Sequence, residues 1–161
     1  MNTWERRFLG LALYYSSFSK DPSTKVGCVL VNDFNVPVGI GYNGFSRESQ
    51  DLEQHLTNRP EKYKRTIHAE ENAIYNKTGE IRGSIAYLTH PPCVPCVNRL
   101  SQNGIKEVRF IVTTDSDFNK RWNLDESVKE IEDLKMTYKS YLMDNEAKIK
   151  IFMDIIKLWQ N

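Results

Sequence analysis

Apolar residues recur along this chain in two rhythms, one of three and four residues and one of short continuous or alternating runs, and the switches between them mark its elements. Trp4, Phe8, Leu11, Ala12 and Tyr15 repeat at three and four, which predicts an amphipathic helix ending in the turn-rich "SKDPST". "KVGCVLV" is a short valine-rich run, "NDFN" a turn and "VPVGIGYN" a second run, and together they predict a strand hairpin. From Gly44 to Thr66 the chain is polar and charged, an excursion of the kind that belongs to a functional or surface loop. "IHAEENAIYN" reads as a helix with Ile67, Ala73 and Ile74 on its buried side. "SIAYLTH" reads as a strand, "PCVPCVNRLSQNG" as a helix stopped by Gly104, and "IKEVRFIVT" as another strand. Leu124, Val128, Ile131, Leu134, Tyr138 and Leu142 keep helical spacing over 124–143. "KIKIFM" alternates like a strand, whereas Ile149, Phe152, Ile155, Ile156 and Trp159 fit a helix, so the tail reads both ways. The order helix, hairpin, helix, strand, helix, strand, helix predicts a layered α/β domain.

Composition changes that picture little and narrows the function more. The 161 residues, 40% of them hydrophobic, show no break, which predicts one domain over 1–161. Lysine plus arginine (22) nearly balances aspartate plus glutamate (21), which argues against a nucleic-acid partner held through phosphates and favours a small one. "MNTWERRFLGLALYY" carries charges where a signal peptide needs its apolar run, and no stretch approaches the ~20 apolar residues of a membrane span. A cytoplasmic protein with no membrane partner is expected. Three cysteines, an odd number without a secretion signal, make a disulfide scaffold a poor reading, so the C-x-x-C of "PPCVPC" points to metal or catalysis.

Upstream of that pair stands "HAE", and H-x-E followed by P-C-x-x-C is the pattern of zinc-dependent nucleobase deaminases. Cys93 and Cys96 are three apart on one helix face, near an N-terminus that favours thiolates, and Pro92 and Pro95 suit such a start. His68 begins the other helix. One imidazole and two thiolates can hold zinc between two helix ends and leave the fourth position open for water, as catalytic zinc requires. Glu70 adds a carboxylate able to carry protons to a ring nitrogen and to a departing amine. Positions i and i+2 of a helix diverge by about 200°, so His68 and Glu70 serve one site only if it lies off the helix end. A thioredoxin-like pair would follow the first strand, not the third. A structural zinc would need a fourth ligand. Cys28 sits in an apolar run and reads as core, His55 and His90 are not at ligand spacing, and Glu71 reads as a solvated helix glutamate.

The chain resembles the cytidine deaminase superfamily and, within it, the deoxycytidylate (dCMP) deaminases. The resemblance runs from about Trp4 to Val112 through "SKDPSTKVG", "GIGYNGF", "KYKRTIHAEENAI", "PPCVPC" and "QNGIKEV", in the family's order. The zinc motifs alone reach the superfamily, and "DPSTKVG" with "GYNGF" selects the branch. The resemblance implies a three-layer α/β/α fold with a central mixed sheet of about five strands, followed by a C-terminal extension from about residue 140. It implies that His68, Cys93 and Cys96 bind zinc and that Glu70 is the catalytic acid and base. Asn43 then contacts sugar or base, the Ala69 N–H faces the pyrimidine carbonyl, and the Pro91 carbonyl faces the amine to be lost. Ser23, Thr24 and Lys25 form the phosphate-side loop, with a basic residue from Lys62 to Arg65 as an alternative. "TTDSDFNKRW" resembles a segment that delivers an aromatic over the substrate, leaving Phe118 and Trp122 as rivals.

Hydrolytic deamination of dCMP to dUMP and ammonia, supplying dUMP for thymidylate synthesis, is the activity this implies. Many family members are homo-hexamers activated by dCTP and inhibited by dTTP with Mg2+, through an effector site that would use Tyr42 and Gly44. The alternatives are a deaminase for another cytosine compound, such as dCTP or a nucleic-acid base, and a catalytically silent zinc-binding assembly protein.

Overall fold

The computed structural model describes residues 1–157, without the side chains of Ser116, Phe118, Asn119 and Ile155. Helix α1 (Thr3–Ser16) starts in a capping box, where the Asn2 side chain accepts from the Glu5 N–H and Glu5 accepts from the Asn2 N–H. Its buried stripe is Phe8, Leu9 and Ala12, while Trp4, expected inside, is 46% exposed. The hairpin forms as expected, with β1 (Gly27–Val31) antiparallel to β2 (Pro37–Tyr42). The excursion after Gly44 is not all loop, since it holds two short helices, α2 (Glu53–Thr57) and α3 (Arg59–Arg65). There follow α4 (Ala69–Tyr75), β3 (Ile85–Leu88), α5 (Val94–Gln102), β4 (Glu107–Val112) and α6 (Ser116–Arg121).

The helix expected over 124–143 is two elements. Helix α7 (Leu124–Asp133) stops before Lys135, whose φ of 56° breaks the helix, and Thr137–Leu142 forms strand β5. The tail settles as helix α8 (Asn145–Lys157). Trp159, read as part of that pattern, lies outside the described residues, as does the Ile155 side chain.

The five strands lie in the order β2-β1-β3-β4-β5, antiparallel through β1 and its two neighbours and parallel from β3 to β5. This is the mixed sheet of a three-layer α/β/α fold. Alternate residues of each strand feed opposite faces. Cys28, Leu30, Ala86, Leu88, Val108 and Phe110 pack toward α4, α5 and α7, whereas Val29, Val31, Tyr87 and Ile111 pack toward α1 and α8. Gly41 lets α4 rest directly on β2, because a Cβ there would stand 2.3 Å from the Ala69 carbonyl oxygen. That close seat fixes the start of α4 against the sheet. No helix among the described residues is long and apolar enough to cross a membrane.

Candidate active site

Two helix starts meet at one end of the sheet. His68 is the N-cap of α4 and Cys93 the N-cap of α5, with Cys96 in the first turn of α5. As N-caps they sit off the helix proper, so His68 and Glu70 escape the divergence of a regular helix and approach one place. Glu71 ties the arrangement together. Expected to be solvated, it is instead half-buried, accepts from the His68 N–H at 3.2 Å and pairs with Arg99 of α5 at 3.0 Å, joining α4 to α5.

His68 Nδ1 stands 3.5 Å from Cys93 Sγ and 3.3 Å from Cys96 Sγ, and the three donor atoms lie within 4.8 Å of one another. A tetrahedral zinc with Zn–S of about 2.3 Å and Zn–N of about 2.0 Å holds its ligands ~3.6 Å apart. The donor set and the spacing both fit that metal. Their charges fit as well. Hydrogen bonds from Cys96 and His68 hold the Cys93 thiol well below its usual range, and the bond to Cys93 raises His68, a polarisation that favours the thiolate form a metal needs. Cys96, hydrogen-bonded to Cys93 and buried, is pushed up instead, and a bound metal would displace its proton. Glu70 is 4% exposed, outside the three-donor group, and burial pushes its carboxyl up against the lowering pull of His68.

A cavity of about 440 Å³ opens on these groups, and His68, Glu70 and Cys93 line it together with Ala69, Pro91, Thr24, Ser23, Asn43 and Trp122. Cys96 lies buried beneath it. The volume suits one small ligand.

The sequence family described as the cytidine and deoxycytidylate deaminase zinc-binding region matches residues 2–112. The chain belongs to this deaminase family. It is 37% identical over 125 residues to an uncharacterized deaminase in the luxG 3' region of Aliivibrio fischeri, covering 76% of this chain and 81% of that one. To the deoxycytidylate deaminase of Mus musculus it is 40% identical over 114 residues, which cover 67% of this chain and 64% of the mouse protein. Among solved structures, the dCMP deaminase of cyanophage S-TIM5 in complex with dCMP and dUMP superposes with a TM-score of 0.71 at 22% identity, over 88% of this chain and 99% of that chain. That likeness establishes the cytidine-deaminase-like fold.

Within this deaminase the cavity does not gather every residue named from the sequence. Lys25 is exposed and outside the lining. Tyr42 and Gly44 line a separate cavity with Phe45, Arg47 and Asn72. The Phe118 side chain lies outside the described residues, while Trp122 lines the cavity. Asn43 reaches it but is engaged with its neighbours, accepting from the Val26 N–H at 2.8 Å and donating to the Thr24 carbonyl at 3.0 Å.

Sequence reasoning missed part of the cavity wall and left open which basic residue of 62–65 belongs to it. Asp21, Arg59, Tyr63, Thr66 and Arg121 also line the cavity, and Lys62, one of a basic run, is the member turned inward. Lys62 Nζ donates to Asp21 Oδ1 at 2.9 Å and to Ser23 Oγ at 3.1 Å, while Asp21 Oδ1 also accepts from the Ser23 and Thr24 N–H groups. "DPST" was legible as a turn in which aspartate binds the backbone ahead of it; its lysine partner was not. Both side chains of the pair are nearly out of water, at 5% and 10% exposure. Breaking such a pair from one side costs about 3–5 kcal/mol. Lys62→Met is therefore expected to lower the unfolding free energy by about 3 kcal/mol, and Lys25→Ala by less than about 0.5 kcal/mol, as read by denaturant titration of the zinc-loaded enzyme.

Proposed function

We propose that the protein is a zinc-dependent hydrolase that converts dCMP and water into dUMP and ammonia. The observation that carries the reading is the shared cavity, with a His-Cys-Cys donor set and a buried carboxylate at one end and Arg59, Lys62 and Arg121 elsewhere on its wall. Zinc held by His68, Cys93 and Cys96 supplies acidification and orientation of the attacking water. Glu70 takes the proton that water gives up as its oxygen bonds to C4, and hands it to N3. Burial keeps the carboxyl poised for that exchange, because it raises the proton affinity that ionised glutamate lacks. As the C4–N4 bond breaks, Glu70 moves the remaining hydroxyl proton to the leaving amine and ammonia departs. Ala69, in the first turn of α4, offers its N–H to the pyrimidine carbonyl, and the Pro91 carbonyl accepts from the amine.

Ser23, Thr24 and the cations Arg59, Lys62 and Arg121 receive the 5′-phosphate, with Asn43 holding the 24–26 backbone in place as well as facing the sugar. The same reading places the enzyme in the cytoplasm, supplying dUMP for thymidylate synthesis as a homo-hexamer with no nucleic-acid partner. The reading includes regulation by dCTP and by dTTP with Mg2+, for which Tyr42 and Gly44, on the wall of the second cavity, would form the effector site.

Substrate profiling of the zinc-loaded enzyme with dCMP, dCTP, deoxycytidine and cytosine tests this. Remote phosphate contacts help place C4, so deoxycytidine is expected to lose kcat as well as affinity, by about a hundredfold or more in kcat/KM. Equal efficiency on dCMP and deoxycytidine removes nucleotide recognition. Preference for dCTP selects another cytosine nucleotide as substrate, and silence on all four leaves a deaminase of nucleic-acid bases or a zinc-binding assembly protein, which a cytosine-containing oligonucleotide separates.

A further inference from the structure

His90 takes no part in the chemistry above, yet its ring is packed where a change would be felt. It ends the segment after β3, one residue before Pro91, and does not line the cavity. Its ring centroid stands 4.8 Å from that of Trp122 at an interplanar angle of 42°, within the range of favourable aromatic pairs. Behind it, His90 Nδ1 is 2.9 Å from Thr89 Oγ1, and Thr89 Oγ1 accepts from the Gly27 N–H at 3.0 Å. Thr89 is 2% exposed. Gly27 is equally immobile, since a Cβ there would meet the Ala12 carbonyl oxygen at 2.0 Å. A rigid line thus runs from the start of β1 through Thr89 and His90 to the indole of Trp122.

Trp122 needs such a support. It leaves α6 and precedes Asn123, which is held at φ 45° as the N-cap of α7, so the indole hangs from a connection between two helices rather than from a regular element. Like Leu124 and Val128, it packs from the side against the buried core under α4, α5 and α7. Burial of His90, with Lys148 of α8 nearby, keeps the imidazole neutral, so the ring meets the indole as an uncharged aromatic.

With Trp122, on the cavity wall, taken as the aromatic that the deaminase resemblance brings over the substrate, we infer that His90 is the residue that positions it. The inference rests on the proposed deaminase reading for the identity of the base. His90 acts through Trp122 alone, so its loss loosens substrate binding and leaves the metal and the proton carrier in place.

A double-mutant cycle tests this, read as kcat and KM for dCMP, zinc content, and the emission of Trp122 in a Trp4→Phe/Trp159→Phe background. His90→Ala is expected to raise KM by about tenfold with kcat within about threefold, full zinc, and red-shifted Trp122 emission. His90→Phe, which keeps a ring against the indole, should recover KM to within about twofold. The double variant His90→Ala/Trp122→Ala should be no worse than Trp122→Ala, because the first change acts only through the second residue. Additive losses, unmoved emission in His90→Ala, or loss of zinc from it would each overturn the assignment. If the wild type fails to turn over dCMP, the deaminase reading fails on its own, and the emission still decides whether His90 holds Trp122.

Discussion

Glu70→Gln is expected to bind zinc as the wild type does and to stay within about 1 kcal/mol of its stability, while its kcat on dCMP falls by about 10²–10⁴. The amide matches the carboxylate in shape and can still accept and donate hydrogen bonds, so the 4%-exposed site is refilled without a cavity. It cannot take a proton from water and pass it on. Glutamate in the first turn of α4 also stands where the helix favours negative charge, a small term that glutamine forfeits and that bears on stability, by about 0.3–1 kcal/mol, rather than on turnover. Metal analysis separates this from the alternative role. Glu70 lies outside the group formed by His68, Cys93 and Cys96, so one full zinc should remain. Release of the metal from Glu70→Gln would make Glu70 a ligand and remove it as the proton carrier.

The parts of this site that sit next to each other in sequence were legible, and the parts joined only by folding were not. H-x-E and P-C-x-x-C each carry their spacing on their face, and their meaning comes from the chemistry of three donors and one carboxylate. Nothing local distinguishes Lys62 from Lys25. One is 4% exposed against Asp21 and the other is exposed and outside the cavity lining, a difference made by how α3 packs over the 21–24 turn. The fold shows the same division. Strands β1, β3 and β4 are inner strands with apolar runs, and their existence was plain. Strand β5 is an edge strand with Tyr138 at 37% and Leu142 at 65% exposure, so its apolar residues mark no buried face, and their accidental continuation of the α7 spacing made one long helix of two elements. Periodicity reports a face only where a face is buried. The short helices α2 and α3 escaped for the opposite reason, since α2 buries no residue and α3 only Lys62.

Cys96→Ala should abolish metal binding and activity together, and the way stability responds identifies the cause. Two ligands hold zinc far more weakly than three, so the purified variant is expected to carry well under one zinc per chain and no measurable turnover. Zinc bound only by the folded wild type adds RT ln(1 + [Zn]/Kd) to its stability, about 4 kcal/mol at a thousandfold excess over Kd. A chelator should therefore lower the unfolding temperature of the wild type and leave that of Cys96→Ala unchanged. Cys93→Ala should behave alike in metal content, although Cys93 is a half-buried helix cap and Cys96 a fully buried residue of the first turn. Cys28 supplies the control. It is the third free thiol, fully buried in the sheet face under α4, with its thiol pushed far up by burial and therefore inert. Cys28→Ala removes one buried sulfur and should cost about 1–2 kcal/mol of stability, yet keep its zinc, its turnover and its response to the chelator. Full zinc in Cys96→Ala, or zinc lost from Cys28→Ala, would show that the metal is not held by the three donors that α4 and α5 bring together.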